Sequence, residues 1–592
     1  MSLNPGQQAA VDEPGHCLIV ACPGSGKTHT LVARAERLLA EAENTRLAIV
    51  TFTRAAAEEL KERLVGKLGP GVMPRVDAGT FHSLCLQQLD AISGRGNRPF
   101  TIATEGTTHT LVMKAWELAA KRFGQAMLPR DAVKRGIEFL KANRDLAPPT
   151  GDPQIIQFAF ERYQELLGAQ KLLDFADIME LTVGGMEAGT LPPLRVNDLL
   201  VDEFQDADKL QLDWVIAHVR HGVRVTCVGD DDQAIYGFRH AKGYDGMMHF
   251  AQVARARTIT LDTTYRCASV VVAHASRLIS CNTNRVPKTI RTASRATGSV
   301  DRMDFPTFDL EVAAACDAMS ACLPAETSAI LARTKSVLRV VETALVADGI
   351  PYYGGVDGGI WSGGAPGLVR GLIGASLGKN PTGATLALSA RGMPSSVIEN
   401  ARRHLMAANG RMASLLQSNT WLAGASDVHV QAWEEMREGF ERIVRATNRQ
   451  PSEFAEACTT FIAPGIDGFT NPGILRAILS IIARMPGALP DVYQRIEQAA
   501  RRSERDKTTR QRDGVALLTL HASKGLEFDR VWMPAVRQGV LPHGNSDIAE
   551  ERRLCYVGMT RARCHLTLSY SRTQDAPESV FLKESGLGGL SA

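Results

Sequence analysis

The stretch HCLIVACPGSGKT, residues 16 to 28, constrains the fold of this chain more than any other. An apolar run ends abruptly in a glycine-rich turn and passes at once into HTLVARAERLLAEA, which has helical periodicity. Strand, glycine loop and helix in that order are the setting a Walker A loop requires. Gly24 and Gly26 allow successive backbone N–H groups to close around phosphates, with the helix N-terminus behind them. Lys27 is placed to bridge the β- and γ-phosphates, and the Thr28 hydroxyl to bind Mg²⁺. Ala21 stands where the strict pattern has glycine, and Cys22, Pro23 and Ser25 complete the loop.

Similar short β-branched runs ending in polar turns recur at LAIVTFT (47 to 53), DLLVDEFQD (198 to 206), VRVTCVGDDD (223 to 232) and TITLDTTYR (258 to 266). Helix-length stretches separate them, which predicts a parallel sheet covered on both faces. A second series begins with SAILARTK (328 to 335) and returns as GVALLTLHASKG, RVWMPAV and CHLTLSYS between residues 514 and 571. Two α/β cores follow from this pattern. Helical blocks interrupt them at about 90 to 172 and 376 to 510; the second ends in the charged run RRSERDKTTRQRDG, read as a linker or exposed hinge, and follows a glycine-dense segment, 354 to 383.

At 592 residues the chain exceeds what one hydrophobic core can organise. With 44% hydrophobic and 22% charged residues its composition is ordinary, and no apolar run approaches the roughly 18 residues needed to span a bilayer. The N-terminus MSLNPGQQAAVDE lacks a leader pattern, so a cytoplasmic protein is expected. A net charge of +3 neither demands nor excludes nucleic acid. Eleven cysteines are scattered without a C-x-x-C pair, which argues against a zinc ribbon, an iron–sulfur cluster or a disulfide framework.

The second chemical constellation is LLVDEFQD. Asp202 is placed to hold Mg²⁺ through water, and Glu203 to orient and deprotonate an attacking water. The third is GDDDQAIYGFRH, residues 229 to 240. A metal site on Asp230, Asp231 and Asp232 is not expected, because consecutive side chains on a turn diverge and no His or Cys joins them. If the strand ending at Asp230 lies beside the one ending at Asp202, Gln233 falls near the γ-phosphate. Tyr236 and Phe238 then face outward as stacking surfaces for bases.

The ordered series LNPGQQAAV, ACPGSGKT, VTFTRAAAEEL, GTFHSL, LLDFADI, VDEFQD, VGDDDQAIYGFRHA, TLDTTYR, AILARTK, TLHASKGLEFDRVW and EERRLCYVGMTRAR resembles the superfamily 1 DNA helicases of the UvrD, Rep and PcrA type. The resemblance implies two RecA-like P-loop domains, each interrupted by a mostly helical insertion. The division would be 1–89 with 173–280, insertion 90–172, then 281–375 with 511–592, and a shortened insertion 376–510. It implies an ATP- and Mg²⁺-dependent 3′ to 5′ motor on single-stranded and tailed duplex DNA, acting in replication, repair or recombination as a monomer or weak dimer. Gln7 resembles the residue that reads the adenine edge, Tyr265 the aromatic that stacks on the base, and Glu527 the ribose contact. Arg266 and Arg561 resemble the arginines that reach the γ-phosphate, and Gln233 its sensor. Phe52, Tyr236 and Phe238 resemble the single-strand stacking platform, with Thr80, His82 and His521 near the DNA backbone.

Departures from the family pattern include His29 for an arginine, Phe238 for a tryptophan, and Arg54–Ala55 for Asn–Lys. The loop LPHGNSDIAEERR is compact where relatives carry a longer pin-like segment. Two alternatives to a stand-alone helicase therefore stay open: a translocase that strips proteins or unwinds with an accessory protein, and an ATP-gated DNA-binding subunit.

Overall fold

The computed structural model describes residues 3–93, 98–124, 128–143, 148, 151–355, 364–390, 392–462, 472–505, 514–544, 546–572 and 577–588. Part of the glycine-dense segment, 356–363, and most of the charged run expected as a linker, 506–513, lie outside the described residues. The chain forms two compact units. One contains Met1–Arg266 and Asn282–Ser294; the other contains Cys267–Cys281 and Arg295–Ala592.

A six-stranded sheet organises the first unit, in the order Val76–Thr80, Leu47–Thr51, Asp198–Val201, Arg224–Gly229, Cys17–Ala21, Arg257–Leu261. Every pairing is parallel. Cys17–Ala21 and Leu47–Thr51 are buried at all positions, as continuous apolar runs in a sheet covered on both faces should be. The edge strand Val76–Thr80 was not among the expected strands; its sequence VDAGT offers one buried apolar residue and no apolar run.

Helix Lys27–Glu41 lies over this sheet and buries Leu31, Ala35, Leu38 and Leu39. It also buries Arg34 completely. The Arg34 guanidinium donates to the carbonyls of Ala10, Val11, Glu13 and Gly15, and its Nε to Thr226 Oγ1 at 2.8 Å. It thereby clamps the end of helix Pro5–Asp12, whose start is closed by a capping box between Asn4 and Gln7. Within the same unit, helices Glu105–Phe123, Arg130–Ala142 and Pro153–Ala169 share a core of their own that includes Leu111, Val112, Ile137 and Tyr163. The chain enters and leaves this helical block through the parallel pair Thr101–Ile102 and Leu172–Leu173.

The second unit repeats the plan. Its six-stranded sheet runs Ser299–Phe305, Ala562–Ser571, Phe528–Met533, Ser328–Ala332, Val515–Thr519, Tyr352–Gly354, again all parallel. Ser299–Phe305 (SVDRMDF) and Tyr352–Gly354 are edge strands absent from the expected set; no residue of either is fully buried, so the apolar signal of a strand is missing. Helices from Gly364–Ser376 to Leu489–Arg505 interrupt this sheet between its strands Tyr352–Gly354 and Val515–Thr519. The two units are thus RecA-like domains carrying helical insertions. Among the described residues no helix is long and apolar enough to cross a membrane.

Removing the Arg34 clamp leaves buried carbonyls without donors, each costing about 1–3 kcal/mol. Arg34→Met should raise amide exchange across Pro5–Asp12 by about tenfold or more. Unchanged exchange would refute the clamp.

Candidate functional site

Strand order decides the site. Arg224–Gly229 pairs on one side with Cys17–Ala21 and on the other with Asp198–Val201, so the phosphate loop, Asp230 and Asp202 emerge at one edge of the sheet. The condition set for Gln233 is therefore met: the strand leading to it lies beside the one ending at Asp202.

The loop itself is shaped by close approach. Gly24 and Gly26 have φ of 72° and 79°, the left-handed region that favours glycine. A Cβ at Gly24 would lie 2.5 Å from Arg266 Cβ, and one at Gly26 would lie 2.9 Å from Gln7 Nε2. Tyr265 N–H donates to the Gly24 carbonyl at 2.9 Å. These contacts bring Gln7, the phosphate loop, Tyr265 and Arg266 together. Ala21, Cys22 and Pro23 are buried. Ser25 Oγ is buried without a hydrogen-bond partner, an orphaned polar atom in the glycine-rich loop. The loop thus fits a polyphosphate, and the hard oxygens of Thr28 and Asp202 suit Mg²⁺.

Gln7 is occupied within the protein: its Nε2 donates to the Ser25 carbonyl and its Oε1 accepts from Asn4 N–H, both at 2.9 Å. Asn4 Nδ2 in turn donates to the Tyr265 hydroxyl at 3.0 Å, while the Tyr265 ring stays 46% exposed. His29 Nε2 is buried without a partner, and burial followed by the Lys67 charge holds the ring below its ordinary pKa.

Lys27 Nζ lies 2.9 Å from Glu203 Oε2. Burial would lower the Lys27 pKa, but Glu203, then Asp230 and Asp202, raise it. Glu203 adopts φ 49°, a left-handed conformation rare outside glycine and common where strain serves a site. Its Oε2 also accepts from Gln205 Nε2, and Gln205 Oε1 accepts from Asp230 N–H at 2.9 Å. Burial, then the neighbouring Glu203, pushes Asp202 up to about 6.

Asp230, Asp231 and Asp232 are all 0% exposed, which rules out a solvated loop. The expectation that their side chains diverge is corrected: one oxygen from each lies within 4.8 Å of the others. They converge because the Lys288 ammonium sits among them, at 2.9, 2.6 and 3.0 Å, and Arg285 pairs with Asp232 at 2.8 Å. Gln233 is buried, its Nε2 donating to Asp230 Oδ2. Gln205, Arg285 and Lys288 were not expected at the site. Gln205 sits inside VDEFQD and was within reach of the sequence; two cations in NTNRVPKTI carry no such signal.

Beyond Gln233 the chain turns outward. Phe238 is 62% exposed, its ring 5.9 Å from that of Tyr236, and the Arg239 guanidinium lies 5.5 and 5.6 Å from the two ring centres. Phe52 packs edge-on to Phe81 at 5.4 Å. His82 meets Phe175 at 5.1 Å, and burial holds its pKa down. Phe175, exposed and aromatic within LLDFADI, joins this group without having been singled out. The Thr80 hydroxyl accepts from Ser83 N–H at 3.4 Å, a capping contact at the start of helix Phe81–Ser93.

The remaining expected residues lie in the second unit. Arg561 is 1% exposed, donating to the carbonyls of Val557 and Leu526 and to Thr560 Oγ1. Reaching a ligand would require it to exchange those partners. Glu527 pairs with Arg563, and His521 is partly buried in the turn after Val515–Thr519.

A phosphate loop, an acidic pair two strands away and a glutamine in the turn that follows the strand between them define a P-loop nucleotide-binding protein of the RecA-like class. The chain belongs to the UvrD/Rep helicase family: the UvrD/REP helicase N-terminal domain matches residues 3–251 and the UvrD-like helicase C-terminal domain residues 470–573. It is similar to DNA helicase II of Salmonella typhimurium, at 29% identity over 97% of this chain and 85% of that protein. The ATP-dependent DNA helicase PcrA of Bacillus subtilis is 27% identical over 98% of this chain and 85% of its own length. DNA helicase II of Rickettsia typhi is 26% identical, with coverage of 96% and 92%.

The raised Asp202 carboxyl has a measurable consequence. Its ionised form is disfavoured in the fold, so the penalty is absent below the ordinary value of 3.8 and complete above about 6. Nucleotide-free Asp202→Asn should therefore resist urea better than wild type at about pH 8, with the gap closing as pH falls toward about 4. A gap independent of pH would contradict the assigned burial.

Proposed function

We infer that this chain is an ATP-dependent DNA helicase that moves 3′ to 5′ on single strands and unwinds duplex DNA in replication, repair or recombination. The observation that carries this reading is the continuity of residues 230 to 239. One end is hydrogen-bonded into the phosphate-loop network, and the other is an aromatic pair, Phe238 exposed and Tyr236 half-buried, with an arginine beside it. Stacking on such a pair is indifferent to base identity, as a motor on arbitrary sequence needs.

Lys27 and Glu203 are partners in this structure. A γ-phosphate drawing Lys27 away releases Glu203 to orient and deprotonate water, so substrate binding itself arms the base. Thr28, and Asp202 through water, would hold Mg²⁺, which would supply neutralisation of the phosphate charge. Gln233 senses the γ-phosphate, Tyr265 stacks on the base, and Arg266 stabilises transition-state charge, while Gln7, which braces the loop through the Ser25 carbonyl, reads the adenine edge. Phe52, His82, Thr80, Tyr236 and Phe238 form the DNA track of the first unit; Arg561, Glu527 and His521 are the contributions of the second. In this reading 1–89 with 173–280 and 281–375 with 511–592 are the two motor cores and 90–172 and 376–510 the insertions, with a crossover at the seam, where 267–281 packs into the second unit and 282–294 into the first. The protein acts in the cytoplasm as a monomer or weak dimer.

The deciding experiment is strand displacement by the purified chain with ATP and Mg²⁺ on duplexes bearing a 3′ or a 5′ tail. Displacement only from the 3′-tailed duplex is expected, and Glu203→Gln should abolish it while retaining ATP binding. Single-strand-stimulated ATPase without displacement from either duplex would mean that unwinding needs an accessory protein. Absence of any stimulation by DNA would overturn the reading.

Phe238→Ala should weaken single-strand binding by about 1–3 kcal/mol and lower DNA-stimulated ATPase far more than DNA-free ATPase. Equal losses would mean that the ring only packs.

A further inference from the structure

Lys288 is completely enclosed, and so are the three carboxylates around it. Besides those carboxylates, its ammonium lies 3.3 Å from the carbonyl of Ala21, the first residue of the phosphate loop. Asp231 is tied further by Val286 N–H at 2.6 Å, and Asp232 by two parallel bonds from Arg285. Burial alone would lower the Lys288 pKa, but Asp230, Asp232 and Asp231 together raise it above the ordinary lysine value, so the group is a cation. A buried cation with this set of partners cannot be removed without stranding charge.

The arrangement does more than neutralise acids. Asp230 Oδ1 receives Lys288, and its Oδ2 receives the Gln233 amide. The same ammonium therefore touches the carboxylate that orients Gln233 and the carbonyl that begins the phosphate loop. Asp230 N–H continues the network to Gln205, and Gln205 to Glu203. No other cation among the described contacts of Asp230 and Ala21 joins the two.

We propose that Lys288 is a positioning residue for nucleotide hydrolysis, setting Gln233 against the phosphate loop through the Asp230 carboxylate and the Ala21 carbonyl. The proposal rests on the reading of Gln233 as the γ-phosphate sensor. A merely structural lysine would stabilise the fold without acting through that one amide, and a double-mutant cycle separates the two roles.

The test uses the full chain with DNA and Mg²⁺-ATP. Lys288→Met should lower kcat by about tenfold or more while KM for ATP changes by less than about threefold. In a Gln233→Ala background the same replacement should change kcat by less than about twofold, because the side chain it positions is already gone. Losses that multiply in the double variant, or a Lys288→Met chain with undiminished kcat, would overturn the proposal. Should Lys288→Met not fold, the isosteric Asp230→Asn enters the same cycle and is judged by the same two outcomes. Gln233→Ala with undiminished kcat would remove the sensor reading and this inference with it. A reduced kcat with multiplying losses would remove the inference alone.

Discussion

The site depends on the parallel pairing of three neighbouring strands. Cys17–Ala21, Arg224–Gly229 and Asp198–Val201 run side by side in one direction, with Val20 level with Gly229 and Val201 level with Cys227. Parallel strands deliver their C-terminal ends to one edge, where ligands of open α/β sheets bind. The phosphate loop, Asp230 and Asp202 are consequently neighbours although far apart in the chain. An antiparallel strand in the middle would have sent Asp230 to the opposite edge.

What keeps this edge in order is the matching of buried charge. Lys27 faces Glu203, and Lys288 with Arg285 faces Asp230, Asp231 and Asp232. Gln205, itself fully buried, joins the two groups by giving to one and accepting from the other. Three carboxylates against two cations leave an excess negative charge, which Lys27 also feels through Asp230. A ligand that engages Lys27 therefore perturbs a connected set of hydrogen bonds and not a single pair.

The same short run that enters this network leaves it at an aromatic surface, which the proposed function reads as a track for bases. Between Gln233, buried, and Phe238, largely exposed, lie only Ala234, Ile235, Tyr236 and Gly237. Ile235 is completely buried and anchors the turn, so Tyr236 and Phe238 are held at a defined place on the surface. In that reading, coupling between nucleotide chemistry and grip on DNA needs no long pathway, since both belong to one segment of backbone.

The sequence by itself determined the phosphate loop, the acidic pair, the outward aromatics and the apolar strands of both sheets, because each is written in residues that are close together. Strand, turn and helix signals act over a few positions, and a glycine loop before a lysine has few other uses. It did not reveal the edge strands Val76–Thr80 and Ser299–Phe305, whose half-exposed residues leave no apolar run. Only the tertiary structure decided that the three aspartates converge, because their direction is set by Lys288, 58 residues beyond Asp230. It alone placed Arg561 inside its own unit, bonded to carbonyls that are unspecified by side-chain identity. Local pattern chooses the elements, and long-range charge and register choose what their ends face.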